Sequence, residues 1–244
     1  MKRVLLTISF DGTAYHGWQI QPNAITVQEV IEGALGKILG TAPSVTGCSR
    51  TDAGVHAREF CLHFDCDEKI PADAFLRGLV SLLPQDISVI GYREVPSDFH
   101  ARYSAKGKTY EYKILNSNIR DPFLSRYTWQ IGRKLDIDKM NEFCERLIGE
   151  HDFYAFSSSG RTVDNTVRTI SECYVEYKDD IVKLRVTGNG FLYNMVRIIV
   201  GTAVEVSDGR INPQDTEKIL LSRNRSLAGI TAPPQGLSLE KVIY

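Results

Sequence analysis

The chain has 244 residues, with 29 lysines and arginines against 30 aspartates and glutamates, 43% hydrophobic and 24% charged. That balance excludes a disordered chain, which needs few apolar residues and a high net charge. No apolar run approaches the roughly 18 residues of a membrane-spanning helix, and the length allows one large domain or two intimate halves.

Residues 3–10 alternate as a strand. Thr26-Val27-Gln28-Glu29 is a capping box, in which Thr26 caps the Glu29 N–H and Glu29 reaches back. The helix it starts carries Val27, Val30, Ile31, Ala34, Leu35, Ile38 and Leu39 at helical spacing and stops at Gly40. Phe60, Leu62 and Phe64 alternate with Cys61, His63 and Asp65, which predicts a half-buried strand. Pro71 opens a second helix that runs through Leu83 to Pro84, and residues 87–95 form a further strand. The second half repeats this order. Residues 108–115 alternate as a strand, and Asp136 caps a helix with Met140, Phe143, Cys144 and Leu147 inward and Gly149 at its end. Residues 166–177 and 181–187 form an antiparallel pair around Lys178-Asp179-Asp180. A buried helix over 191–206, a short one over 215–221 and a closing strand over 239–244 complete the chain. The fold class is α+β: two β-α-β-rich halves, 1–104 and 105–244, form a largely antiparallel sheet with helices on one face and the other face left for binding. No linker separates the halves. The N-terminal apolar stretch is too short for a signal peptide, so a cytoplasmic protein is expected.

The five cysteines (Cys48, Cys61, Cys66, Cys144, Cys173) are odd in number and lack C-x-x-C spacing. They read as small apolar fillers, with neither a disulfide framework nor a metal site implied. Charge is segregated. Residues 100–134 hold eight positives and two negatives, whereas 135–152 hold six acids and two bases. The basic block is interleaved with Tyr103, Tyr110, Tyr112, Phe123, Tyr127 and Trp129. A polyanion with stackable bases suits this pattern, and so does a merely solvated strand face.

The densest polar segment is Gly47-Cys48-Ser49-Arg50-Thr51-Asp52-Ala53-Gly54-Val55-His56-Ala57. It lacks the last glycine of a G-x-S-x-G elbow, and a triad of Ser49, His56 and Asp52 is too local in sequence. Asp52 and His56 lack a third metal ligand of matching spacing. Two readings stay open: a capped turn with a solvated Arg50, or Asp52 as a held, ionised nucleophile supported by a buried cation. The candidate cation is Arg197, the one charge in Met195-Val196-Arg197-Ile198-Ile199-Val200. It either pairs with a buried acid or lays its stem over the core as a helix-surface arginine. Tyr110 by itself reads as core as readily as catalytic.

Ser49-Arg50-Thr51-Asp52-Ala53-Gly54-Val55-His56-Ala57 resembles the signature loop of the TruA family of tRNA pseudouridine synthases. Resemblance continues collinearly through Phe10-Asp11-Gly12-Thr13 with Tyr15, Gly17-Trp18-Gln19 and Gln21-Pro22-Asn23, then Phe99-His100-Ala101-Arg102 and Lys108-Thr109-Tyr110-Glu111-Tyr112. It ends with Gly188-Asn189-Gly190-Phe191-Leu192, Met195-Val196-Arg197 and Ala232-Pro233-Pro234-Gln235-Gly236-Leu237. Ser49 stands where many members have glycine, a change of loop freedom rather than chemistry. The resemblance implies the pseudouridine synthase fold as one catalytic unit, with Asp52 on the first half and the tyrosine, arginine and Gly-Leu motifs on the second. It implies Asp52 as the essential catalytic aspartate, Arg197 as its ion-pair partner and Tyr110 as the aromatic that stacks on the target base. Arg50 would assist extrusion of the base and Leu237 would form an apolar wall. The implied substrate is uridine at positions 38, 39 and 40 of the tRNA anticodon arm, handled by a homodimer with no cofactor, metal or membrane. Two alternatives stand beside this: a family member with a shifted RNA target, chosen by loops such as 157–163, and a non-catalytic RNA-binding protein, which need not retain Asp52.

Overall fold

The computed structural model describes residues 1–159 and 164–244, so the last four residues of the loop at 157–163 lie outside the described residues. The chain forms two compact units, Met1–Lys106 with Ser238–Tyr244, and Gly107–Leu237.

In the first unit β1 (Lys2–Phe10) is flanked by antiparallel β3 (His56–Cys66) and β4 (Ile87–Val95), and the two-residue β2 (Thr46–Gly47) pairs with β3. Helix α1 (Val27–Leu39) is capped by Thr26, whose Oγ1 accepts from Glu29 N–H at 3.4 Å, and Gly40 closes it in the left-handed conformation. The helix expected from Pro71 to Leu83 is instead two short ones, α2 (Ala72–Leu76) and α3 (Gly78–Leu82), broken at Arg77 beside Gly78. Glycine is a poor residue for a helix interior, and here it opens the second piece. Both pieces contact α1 and β4.

The half-buried strand expected around Phe60 is buried on both faces. Cys61 and His63 point into a second packing layer made by residues 99–104 and the C-terminal tyrosine. Ala101 N–H donates to His63 Nδ1 at 3.1 Å, Phe99 meets both His63 and Tyr244 edgewise or tilted, and Tyr244 Oη donates to the Ala101 carbonyl at 2.8 Å. Burial lowers the His63 pKa to about 4, reinforced by the nearby Arg3 charge, so the ring is neutral and free to accept. The closing strand is β10 (Leu237–Ile243), and it joins this unit rather than the second half: Ser238 and Leu239 pair parallel with His56 and Ala57.

The second unit is an antiparallel run of β5 (Gly107–Leu115), β9 (Ile181–Gly188), β8 (Val167–Lys178) and β7 (Gly149–Asp152), with a two-residue β6 (Trp129–Gln130) parallel to β5. The β8–β9 hairpin turns at Asp179 and Asp180, both at positive φ, a conformation short polar side chains tolerate. Helix α4 (Ile137–Glu145) is capped by Asp136, which accepts from Lys139 N–H, and it contacts both β8 and α5 (Met195–Ser207). Helix α5 starts four residues later than its apolar pattern predicts, because residues 188–194 form the loop that presents it. The short helix is α6 (Thr216–Ser222). Each unit is thus α+β with mainly antiparallel strands.

Candidate active site

The Asp52 loop leaves β2 and returns as β3. Its backbone is clamped by the N-terminal segment that follows β1. Trp18 N–H donates to the Thr51 carbonyl at 3.1 Å and Gly54 N–H to the Tyr15 carbonyl at 3.2 Å, while Val55 N–H closes a turn on the Asp52 carbonyl at 3.1 Å. Gly17 sits at φ +83°, and a Cβ there would fall 2.4 Å from Thr51 O and 3.2 Å from the Asp52 carbonyl carbon. A Cβ on Gly12 would lie 2.0 Å from Val55 O. Glycine is needed at both positions so that one backbone can touch another. His56 Nδ1 accepts the Gly12 N–H at 3.0 Å and lies 3.1 Å from Asp11, so the imidazole is part of this brace. The Trp18 and Phe60 rings pack tilted, 4.2 Å apart, against Gly47, where a Cβ would strike both rings. On this frame Asp52 is half-buried and Arg50 exposed. Thr51 Oγ1, next to the aspartate, is buried without a hydrogen-bond partner among the described residues, and no sequence signal marked it out.

The second unit holds Tyr110, Arg197 and Leu237. Tyr110, on β5 opposite Val186, is 6% exposed and meets the Phe191 ring edge-to-face at 5.1 Å. Arg197 is half-buried in the first turn of α5. Its Nε donates to the Ala232 carbonyl at 2.7 Å and its Nη1 to Asn194 Oδ1 at 2.9 Å, while Ala232 N–H returns a bond to the Arg197 carbonyl at 3.0 Å. The guanidinium is therefore held by polar groups around the helix start. Residues 229–237 run along α5 and β5. A Cβ on Gly201 would lie 1.9 Å from Ile230 O, and one on Gly236 would lie 2.6 Å from the Tyr112 ring. Tyr112 Oη donates to the Pro233 carbonyl at 2.7 Å; burial raises its pKa well above the ordinary value against a smaller opposing effect of the Arg197 charge, so it stays a donor. Leu237, buried, ends this run. Tyr112 and Asn194 escape sequence reasoning because one reads as plain core and the other as an ordinary helix start.

The basic block is divided by burial. Lys108 is 8% exposed, Lys113 lies 3.4 Å from Glu111, and Arg133 pairs with Asp208. Tyr103 and Lys106 in the first unit and Arg120, Phe123, Arg126 and Lys134 in the second are exposed, and Arg102 is half-buried. Tyr103 is 78% exposed yet fixed: its ring lies 4.3 Å from that of His100, whose Nδ1 accepts the N–H groups of Arg102 and Tyr103.

The chain matches the family described as tRNA pseudouridine synthase over residues 6–104 and 143–244, and it belongs to that family of isomerases. Over 244 residues it is 47% identical to tRNA pseudouridine synthase A of Thermoanaerobacter sp. (strain X514) and of Clostridium acetobutylicum, covering 100% of both chains in each case. The relative of the same name from Ruminiclostridium cellulolyticum is 48% identical over 246 residues, again with 100% of each chain covered. Among solved structures, a chain of the archaeal box H/ACA sRNP Nop10-Cbf5 complex aligns at a TM-score of 0.37 and 11% identity, covering 97% of this chain and 48% of that one. A likeness that distant adds no weight.

Proposed function

We propose that the protein isomerises uridine to pseudouridine at positions 38, 39 and 40 of the tRNA anticodon arm, with Asp52 as nucleophile. The observation that carries this reading is the Asp52 loop, where the backbone on both flanks of a half-buried carboxylate is clamped by the segment after β1. Such fixing holds a reacting group in one geometry. In the reaction the N1–C1′ bond breaks, the uracil turns and the C5–C1′ bond forms. The C5 proton leaves and N1 gains one, so neither oxidant nor energy source is consumed. Asp52 serves as the nucleophile that holds the intermediate while the uracil turns.

A stem uridine must first leave its stack, at a cost of a few kcal/mol. Stacking on Tyr110 returns ~1–3 kcal/mol of this. Arg50 assists extrusion, Arg197 pairs with Asp52 and Leu237 walls the base; these three roles rest on the family resemblance. Half-buried Arg102 and exposed Tyr103, Arg120 and Arg126 are suited to phosphates and unpaired bases. The working form is a cytoplasmic homodimer, in which two basic surfaces serve one tRNA.

Tritium release from tRNA transcripts labelled at uridine C5 tests the reading. Wild type should release label from positions 38–40, and Asp52→Asn should release none while binding tRNA within a few-fold of wild type. Release elsewhere would identify a shifted target, and tight binding without release would identify an RNA-binding protein.

A further inference from the structure

Asn194 precedes the first residue of α5 and sits at φ +60°, ψ +6°, a left-handed conformation that Asn reaches more readily than most residues. Asn at this position ordinarily turns its side-chain oxygen onto the N–H groups of the first turn. Here the side chain makes no such cap. Instead Oδ1 accepts from Arg197 Nη1 at 2.9 Å and Nδ2 donates to Ser158 Oγ at 3.0 Å. The amide orientation is forced, because a guanidinium offers only donors and the group facing it must be the oxygen. Ser158 is held in turn, its N–H donating to the Tyr193 carbonyl at 3.2 Å. With Nε bound to the Ala232 carbonyl, two points now define the guanidinium plane.

We infer that Asn194 is a positioning residue for Arg197: it gives up the helix cap to aim the guanidinium, and Ser158 holds the amide in the productive orientation. This inference rests on the assignment of Arg197 to the catalytic centre. It requires that loss of the amide slow turnover without weakening tRNA binding.

Asn194→Gly separates side chain from backbone, since glycine takes the left-handed conformation freely. Expected are a fall in kcat of roughly 10- to 100-fold, KM and tRNA Kd within about threefold, and a melting temperature close to wild type. Ser158→Ala should lower kcat by about two- to fivefold, because its effect passes through the amide. Should glycine loosen the helix start too far to fold, Asn194→Asp keeps the turn but draws Arg197 into an ion pair, and it should lower kcat with melting unchanged. Wild-type kcat in the folded glycine or aspartate variant, or a kcat loss matched by an equal loss of binding, overturns the inference. Arg197→Met measured alongside separates the two levels. A fully active Arg197→Met removes Arg197 from the catalytic centre, whereas an inactive Arg197→Met beside an active Asn194→Gly removes Asn194 alone.

Discussion

The two units hold their functional residues by different physics. In the first, Asp52 is placed by backbone against backbone: Gly12 and Gly17 let the segment after β1 approach the loop more closely than any Cβ allows. In the second, Arg197 is placed by side-chain hydrogen bonds at the start of a buried helix, through Asn194 and the Ala232 carbonyl. A backbone clamp fails abruptly because packed main chain cannot yield, whereas a hydrogen-bonded guanidinium loses alignment by degrees. Asp52 sits on the stiffer mount.

The sharpest way to break this comparison is Gly17→Ala set against Gly40→Ala. Both glycines lie at φ +83°, but Gly40 has nothing within 4 Å of its would-be Cβ, whereas Gly17 faces Thr51 O at 2.4 Å. Gly40→Ala should therefore cost only about 1–2 kcal/mol of left-handed strain, with full activity. Gly17→Ala should lower tritium release by about a hundredfold or more and also lower the melting temperature, since backbone must move under the Asp52 loop. Equal behaviour of the two variants would show that conformational strain alone matters.

Tyr112→Phe probes the gentler mount. It removes the bond to the Pro233 carbonyl in a buried place, at about 1–2 kcal/mol by chemical denaturation, with kcat reduced less than about tenfold. A larger kinetic loss would mean that residues 232–237 are as unforgiving as the Asp52 loop.

The smallest expected effect is a pH dependence in the first unit. The folded His63 pKa, lowered to about 4 by burial and the Arg3 charge, lies below its ordinary value of 6.5. The unfolded chain therefore takes up the proton first. Stability is full above about pH 6.5, declines as the pH falls toward about 4, and levels off below that. His63→Asn keeps an acceptor for the Ala101 N–H and cannot titrate, so its urea midpoint should change less between pH 7 and pH 5 than that of wild type. An unchanged slope would assign the pH dependence to other groups.

Much of the fold was legible in the chain because the signals are local. Thr26 with Glu29, Asp136 with Lys139, the left-handed Gly40 and the Asp179-Asp180 turn are each settled within a few residues. The break at Arg77, the two-sided burial of β3 and β5 and the three short strands were not legible, because partners distant in sequence decide them. His63 illustrates the point: alternation placed it on a wet face, and residues 99–101 with Tyr244 made that face dry. Lys108 likewise looked like part of a surface charge block and is buried.

By itself the sequence determined most of the longer elements, several of their caps and the motifs that tie the chain to its family, since periodicity and motif spacing are properties of the covalent order. Only the tertiary structure decided how Asp52 and Arg197 are mounted. Gly17 against Thr51, Gly12 against Val55, Ser158 against Asn194 and Tyr112 against Pro233 are pairings across 34 to 121 residues of chain. Their energies depend on distances of a few ångströms that no local pattern encodes.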